Sequence, residues 1–247
     1  MAVGTPTLKA SGSRTTGASS DTTASFTPTA NAVLWAFFHG RNASGAPASA
    51  TISDTAGLTW TSVFTASFNS ANRIWIGWAV APSSPSSMTV TASWGATVDS
   101  GAFGVFETTG ANTTTPVVAS SNVAAGSTST TPASGTVPAM ASSGNLQILF
   151  VASRSSSSTA EASWAEVFDV VASGQPCHAS AYYIGTPGDT SPTATLPGSA
   201  VWRASALEVA AGGLTLAASG SQVATEDGTP TYAGAFNAFR GLVLKWP

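Results

Sequence analysis

The sequence predicts an all-β chain built from two related antiparallel β-sandwich or jelly-roll units followed by a C-terminal extension. Three observations lead there. Apolar runs are short and bounded by Ser, Thr, Gly, Pro and Asn, as strands between turns are. No long apolar stripe at helical spacing emerges, although Ala is common, because Ala is interleaved with Thr, Ser, Val and Gly. A repeat covers most of the 247 residues.

In chain order, the expected strands of the first repeat are Ala24–Phe26, Ala32–His39, Ala50–Asp54, Trp60–Phe68, Arg73–Val80, Ser87–Ser93 and Ala102–Glu107. In the fifth, Ile74, Ile76, Trp78 and Val80 share one face and Trp75 lies on the other, so both faces are apolar and the strand is central. In the sixth, Met88, Val90 and Ala92 alternate with Ser87, Thr89 and Thr91, the pattern of a strand with one wet side. About seven short strands in some 90 residues fit a sandwich or jelly roll better than a closed barrel or a parallel sheet.

The repeat is read from particular residues. The run from Asn31 to Arg41 is echoed from Asn145 to Arg154, each an apolar strand entered from Asn and left through Arg. Trp60, Val63 and Phe64 recur as Trp164, Val167 and Phe168 at identical spacing; the strand around Trp78 is matched by Tyr182-Tyr183-Ile184, and Val105-Phe106-Glu107 by Ala206-Leu207-Glu208. The expected division is an N-terminal arm at 1–21, one sandwich at 22–110, a linker or edge segment at 111–134, a second sandwich at 135–212 and an extension at 213–247. Pro116-Val117-Val118 is the part of the linker able to add an edge strand, and whether the halves fold separately or complete one larger structure stays open. The extension carries Phe236, Phe239, Leu242, Val243, Leu244 and Trp246, an apolar set that either packs back as a terminal strand or inserts into a neighbouring subunit.

Charge is scarce. Lys and Arg number 8, Asp and Glu 11, and charged residues make up 8% of the chain, against about 25% in ordinary soluble domains. Ser and Thr therefore supply the polar surface, and a net charge of −3 gives little mutual repulsion, which suits a chain that lives in an assembly. The basic residues are scattered singly, so no stripe exists to neutralise phosphates and nucleic acid is not an expected partner. Met1–Ser13 lacks the basic and apolar regions of a signal peptide, giving the expectation of a chain not exported by that route. No apolar run reaches the roughly 18 residues of a spanning helix, so membrane insertion is not expected. A single cysteine, Cys177, excludes an internal disulfide and a thiolate-rich zinc site.

Candidate chemistry is thin. His39 and His178 stand at strand ends without a G-x-S-x-G elbow, an H-E-x-x-H helix or a paired histidine. Glu107 and Glu208 fall at equivalent places in the two repeats and read as recurring strand-end contacts rather than an acid and base of one site. Asp54 is expected to shape the turn into the next strand. No calcium loop and no phosphate-cradling loop is present. The expectation is therefore no catalytic, cofactor or metal site, and no enzyme. Among the eight tryptophans, Trp60 and Trp164 recur and read as structural, leaving Trp75, Trp94 and Trp246 as candidates for contact with a glycan or protein partner.

The segment Asp54-Thr-Ala-Gly-Leu-Thr-Trp60, an aromatic strand, Thr89-Val90-Thr91 and a closing strand ending in Glu107 together resemble β-sandwich domains of bacteriophage virion proteins and of some bacterial surface proteins. The second repeat carries the pattern without its Asp-Thr-x-Gly turn. The resemblance implies a structural virion protein made in the host cytoplasm, of minor tail or fibre type, that builds the particle or contacts the host surface. Its partners would be other virion proteins, further copies of itself and a host-surface glycan. A capsid decoration protein and a carbohydrate-binding module of the bacterial cell surface are the alternatives.

Overall fold

A computed structural model describes residues 2–122, 128–172 and 176–213, and the backbone of 123–124, 222–224 and 230–232. Residues 1–213 form one compact unit and 214–247 another; in the latter, β16 (Gln222–Ala224) and β17 (Pro230–Tyr232) pair as an antiparallel hairpin.

The first repeat contributes β1 (Thr7–Arg14), β2 (Ala18–Thr22), β3 (Val33–Arg41), β4 (Thr51–Asp54), β5 (Thr61–Ser67), β6 (Asn72–Val80), β7 (Val90–Val98) and β8 (Ser100–Thr108). The second contributes β9 (Val117–Ala124), β10 (Leu146–Ser153), β11 (Thr159–Ala160), β12 (Ala165–Ala172), β13 (Cys177–Ile184), β14 (Ala194–Thr195) and β15 (Trp202–Val209). The chain is all-β, and the two repeats form two antiparallel sandwiches. In the first, a large sheet ordered β1-β8-β3-β6-β5 faces a small sheet β2-β7-β4, the strand order of a jelly roll with β5 moved onto the larger sheet. In the second, the large sheet β9-β15-β10-β13-β12 has the same order strand for strand. Its covering layer is reduced to β11 and β14, extended by the bridges Ser129–Ala200 and Ala133–Thr193.

The four sheets stack as small, large, large, small. Along β3, Leu34, Ala36 and Phe38 pack with Val90, Ala92 and Trp94 of the small sheet, while Val33, Trp35 and Phe37 pack with Ile148 and Phe150 of β10. Alternation places successive side chains on opposite faces; both faces are covered, so all nine residues of β3 are buried. β10 repeats this, with Leu149 and Val151 turned toward Trp164, Leu196 and Trp202 and every residue buried. β7, with one wet face, alternates instead.

The large sheets meet face to face. β1 packs on β12, β8 on β12 and β13, and β3 on β13. At the other side, Arg203 of β15 donates to the carbonyl of Ser67 and stacks on Phe64. The first edge strand of one sheet, β1, thus lies over the last edge strand of the other, β12. Near its centre Phe37 meets its own counterpart Phe150 edge to face, ring centroids 5.3 Å apart, and Phe168 lies over Gly104, where a Cβ would come within 2.5 Å of the ring.

Edges are blunted. β1, β5, β9 and β12 each carry a register shift against their partner, whereas β3–β6, β3–β8, β10–β13 and β10–β15 pair without interruption. Bulges at sheet edges discourage pairing with a further chain. The repeated Trp-x-x-Val-Phe spells one of them: the shifts between Ser62 and Phe64 and between Glu166 and Phe168 fall at the same place in both repeats. Consecutive Val and Phe side chains then reach the same core.

One boundary differs from the sequence reading, and of the two readings of 111–134, linker or edge segment, the edge segment is the one observed. Residues 7–22 are not an arm; they form β1 and β2. Their sequences, TLKASGSR and ASSDT, show no apolar alternation because both are edge strands in which a single side chain each is buried. The 111–134 segment carries β9, the edge strand of the second large sheet.

Because the sandwiches share a core, calorimetry is expected to show one cooperative transition for both rather than two. Phe150→Ala is expected to lower the stability of that single transition by about 3–5 kcal/mol, the usual cost of removing a buried aromatic ring. Two separable transitions, only one of them shifted, would contradict the shared core.

Candidate functional site

Two of the three candidate contact tryptophans are core residues. Trp75 is 4% exposed and Trp94 is fully buried. Trp75 meets Trp60 edge on, at 6.1 Å, and covers Gly77, where a Cβ would lie 2.3 Å from its ring. Trp94 lies against Gly40 in the same way, and its indole Nε1–H donates to Asp21 Oδ2 at 2.7 Å. Asp21 in turn accepts from Arg14 at 2.7 Å. Trp94 continues the parity of Met88, Val90 and Ala92, and that continuation marks it as core in the sequence as well. Trp75 was misread because its side of β6 was not known to be covered. Neither ring presents a face to a ligand, which corrects the expectation; Trp246 lies outside the described residues.

The carboxylates shape the chain locally. Asp54 accepts from the backbone of Ala56 and Leu58 and from Trp60 Nε1 at 2.8 Å, with Gly57 at φ +75° in the turn, a left-handed conformation suited to glycine. Glu107 takes the backbone N–H and hydroxyl of Thr29 and the ammonium of Lys9. Glu208 takes the backbone N–H of Ala141 and the amide of Asn145. Each therefore clasps the loop that leads into the central strand of its own sandwich.

The most chemically suggestive cluster lies at one end of the second sandwich. Ser153 and His178 are direct partners across β10 and β13, and Asp169 lies diagonally across on β12. Ser153 Oγ is 2.9 Å from His178 Nδ1, and His178 Nε2 is 2.9 Å from Asp169 Oδ1. Serine, imidazole and carboxylate in series form the relay that activates a nucleophile in hydrolases. The surroundings oppose that use. Ser153 and His178 are fully buried, and Ser153 Oγ already accepts the N–H of Ser155. Asp169 Oδ2 takes the N–H of Ser158, and the Ser158 hydroxyl bonds Ser180 and Tyr182. The Ser-rich loop after β10 thus folds its polar groups inward onto this network. An open surface depression lined by Thr128, Arg154, Ser199, Ala200 and Val201 contains none of the three. Sequence reasoning missed the relay because only strand register brings these residues together.

On the opposite face of β13, the two large sheets meet through a second polar group. His39 Nδ1 lies 2.9 Å from the carbonyl oxygen of His178 and His39 Nε2 lies 2.9 Å from Asn72 Oδ1. The thiol of Cys177 donates to the carbonyl of His39. Burial lowers the His39 pKa to about 4, raises the Cys177 thiol and raises Tyr182 to about 12. A thiol so placed is a packing residue, not a nucleophile. Among the described residues no group of three His, Cys, Asp or Glu side chains could hold a metal ion. Comparison with protein families, with curated proteins and with solved structures finds no match for this chain.

Ser153 is expected to stay unmodified when the native protein is treated with a fluorophosphonate and analysed by peptide mass spectrometry. Ser153→Ala, which strands His178 Nδ1 and the Ser155 N–H, is expected to cost about 1–3 kcal/mol in denaturant unfolding. Labelling of Ser153 at neutral pH would reopen the catalytic reading.

Proposed function

We propose that this chain is a non-enzymatic structural protein of a bacteriophage virion, a minor tail or fibre-type component that builds the particle or contacts the host surface. The observation that carries the structural role is the outer face of the small sheet β2-β7-β4. In register, Ser20, Ser93 and Thr51 form one row and Thr22, Thr91 and Ser53 the next, with Thr22 and Thr91 joined through their hydroxyls at 2.9 Å. This face carries hydroxyls and no charge. Such a surface packs against neighbours without like-charge repulsion or the desolvation of ions.

Two further features support the reading. The relay-like residues are consumed in internal hydrogen bonds, which is what a rigid building block requires and a hydrolase does not. The bulged edges favour contacts through faces and loops over strand addition. Placement in a virion rests on the resemblance of Asp54–Trp60, Thr89–Thr91 and the Glu107 strand to phage sandwich domains, with other virion proteins and further copies of the chain as partners. A carbohydrate-binding role is less well supported, since Trp75 and Trp94 supply no exposed platform.

The test is mass spectrometry of purified particles from the source culture, with heads and tails fractionated and immunogold-labelled. The chain is expected in the tail fraction; recovery with heads would favour the decoration role, and absence from particles would overturn the virion assignment. The full chain is expected to give no signal on a glycan array; binding there together with absence from particles would favour the surface-module reading.

A further inference from the structure

The ring of His39 sits between two oxygen acceptors. Asn69 Oδ1 accepts the backbone N–H groups of Ala71 and Asn72, each at 2.8 Å, so Asn72 must turn its Nδ2 toward the same oxygen. That fixes Asn72 Oδ1 against His39 Nε2, while the other ring nitrogen faces the carbonyl of His178. A neutral imidazole has one N–H, so one of these contacts sets an oxygen against a lone pair. An imidazolium would satisfy both.

The surroundings oppose that charge. His39 is fully buried, with the ring of Phe68 5.3 Å away. Arg41 on its own strand and His178 on β13 both disfavour a proton there. β6 offers neutral Asn72, β8 offers Ser100 and Ala102, and β13 adds the un-ionised Cys177 thiol. Asp21 of β2, which bears on Cys177, is tied to Arg14. Among the described residues no carboxylate pairs with His39. The joint therefore contains a shaped proton site that burial keeps empty.

We propose that His39 is an acid-responsive element of the joint, and that a proton taken up by this ring weakens the contact between the two sandwiches. The bonds to Asn72 and His178 survive in place. What changes is that a charge must be held in a buried joint where Arg41 and His178 both disfavour it, so the parted state, in which the ring is hydrated, gains relative to the closed one.

The sign follows from linkage. A histidine whose pKa is lower in the closed state takes up its proton first when exposed. The stabilisation is whole above about pH 6.5 and is lost as the pH falls toward about 4. At tenfold per pH unit across that interval, the closed-to-parted ratio falls by up to about 300-fold.

The experiment compares the full chain with His39→Gln, which cannot titrate, by thermal unfolding from pH 7 to pH 4 and by amide hydrogen exchange at both ends. The wild type is expected to lose stability over this interval by a component that the variant lacks, with exchange rising more in β3 and β13 than in β7. Superimposable pH profiles, or acceleration spread evenly over all strands, would overturn the proposal. If His39→Gln does not fold, NMR titration of the wild-type ring decides: a midpoint near pH 4 supports the proposal and one near pH 6.5 sinks it.

Discussion

The contact of one large sheet upon the other is the constraint from which the rest of the structure follows. Each large sheet is apolar on both faces, and its small sheet can cover only one. A lone first sandwich would leave Val33, Trp35, Phe37, Ile74, Ile76 and Phe106 facing water, and these are core residues in the full chain. At roughly 1.5–3 kcal/mol for each large side chain withdrawn from water, that face is too costly to expose. The second repeat answers it with Ile148, Phe150, Phe168 and Leu207. The repeats thus behave less like two domains on a linker than like the subunits of a dimer carried in one chain.

That constraint explains what was legible in the sequence. The runs at Val33–Phe38 and Leu146–Ala152 read as strands because both of their faces are buried, and Met88, Val90 and Ala92 showed a single wet side because their neighbours Thr91 and Ser93 lie on the outer face of the small sheet. The repeat was visible since the shared face holds Val63, Phe64, Val167 and Phe168 through a bulge that both edges carry, while Trp60 and Trp164 pack inside their own sandwiches. What escaped was whatever depends on partners distant in sequence. β1 and β2 are held by backbone pairing and by Asp21, not by apolar alternation. Trp75 looked available because the layer covering it comes from another part of the chain. The relay of Ser153, His178 and Asp169 exists only by register across three strands, and no spacing in the sequence announces it.

Buried polar groups divide the same way. Glu107 and Glu208 were readable as equivalent strand-end residues, and each clasps the loop before the central strand of its sandwich. His39 was not readable as a joint residue, since its partners Asn72 and His178 are set by folding. A buried polar contact of this kind adds little net stability but leaves unsatisfied groups if the sheets slide, so it favours one registry over its neighbours. The aromatic contacts around Phe37 and Phe150 supply attraction with little directionality, and the hydrogen bonds of His39 and Cys177 supply the direction.

The two repeats have diverged in their outer layers while the inner ones kept their form. Strand order and the bulge of the last edge are the same in both large sheets. Outside, the first sandwich retains three strands and the Asp54 turn, whereas the second is reduced to the two-residue strands β11 and β14. Its Trp164 indole turns to Asp189 instead, at 3.3 Å. The physical reason is the number of partners. A change on an inner face must suit both sandwiches at once, while a change outside need only satisfy one layer and water. Among the described residues of 1–213 the outer layers consequently differ, a hydroxyl-bearing sheet in the first sandwich and loops over a reduced layer in the second. Two like sandwiches with unlike outer layers can make different contacts through each layer, which under the proposed structural role lets one chain join dissimilar neighbours in an assembly.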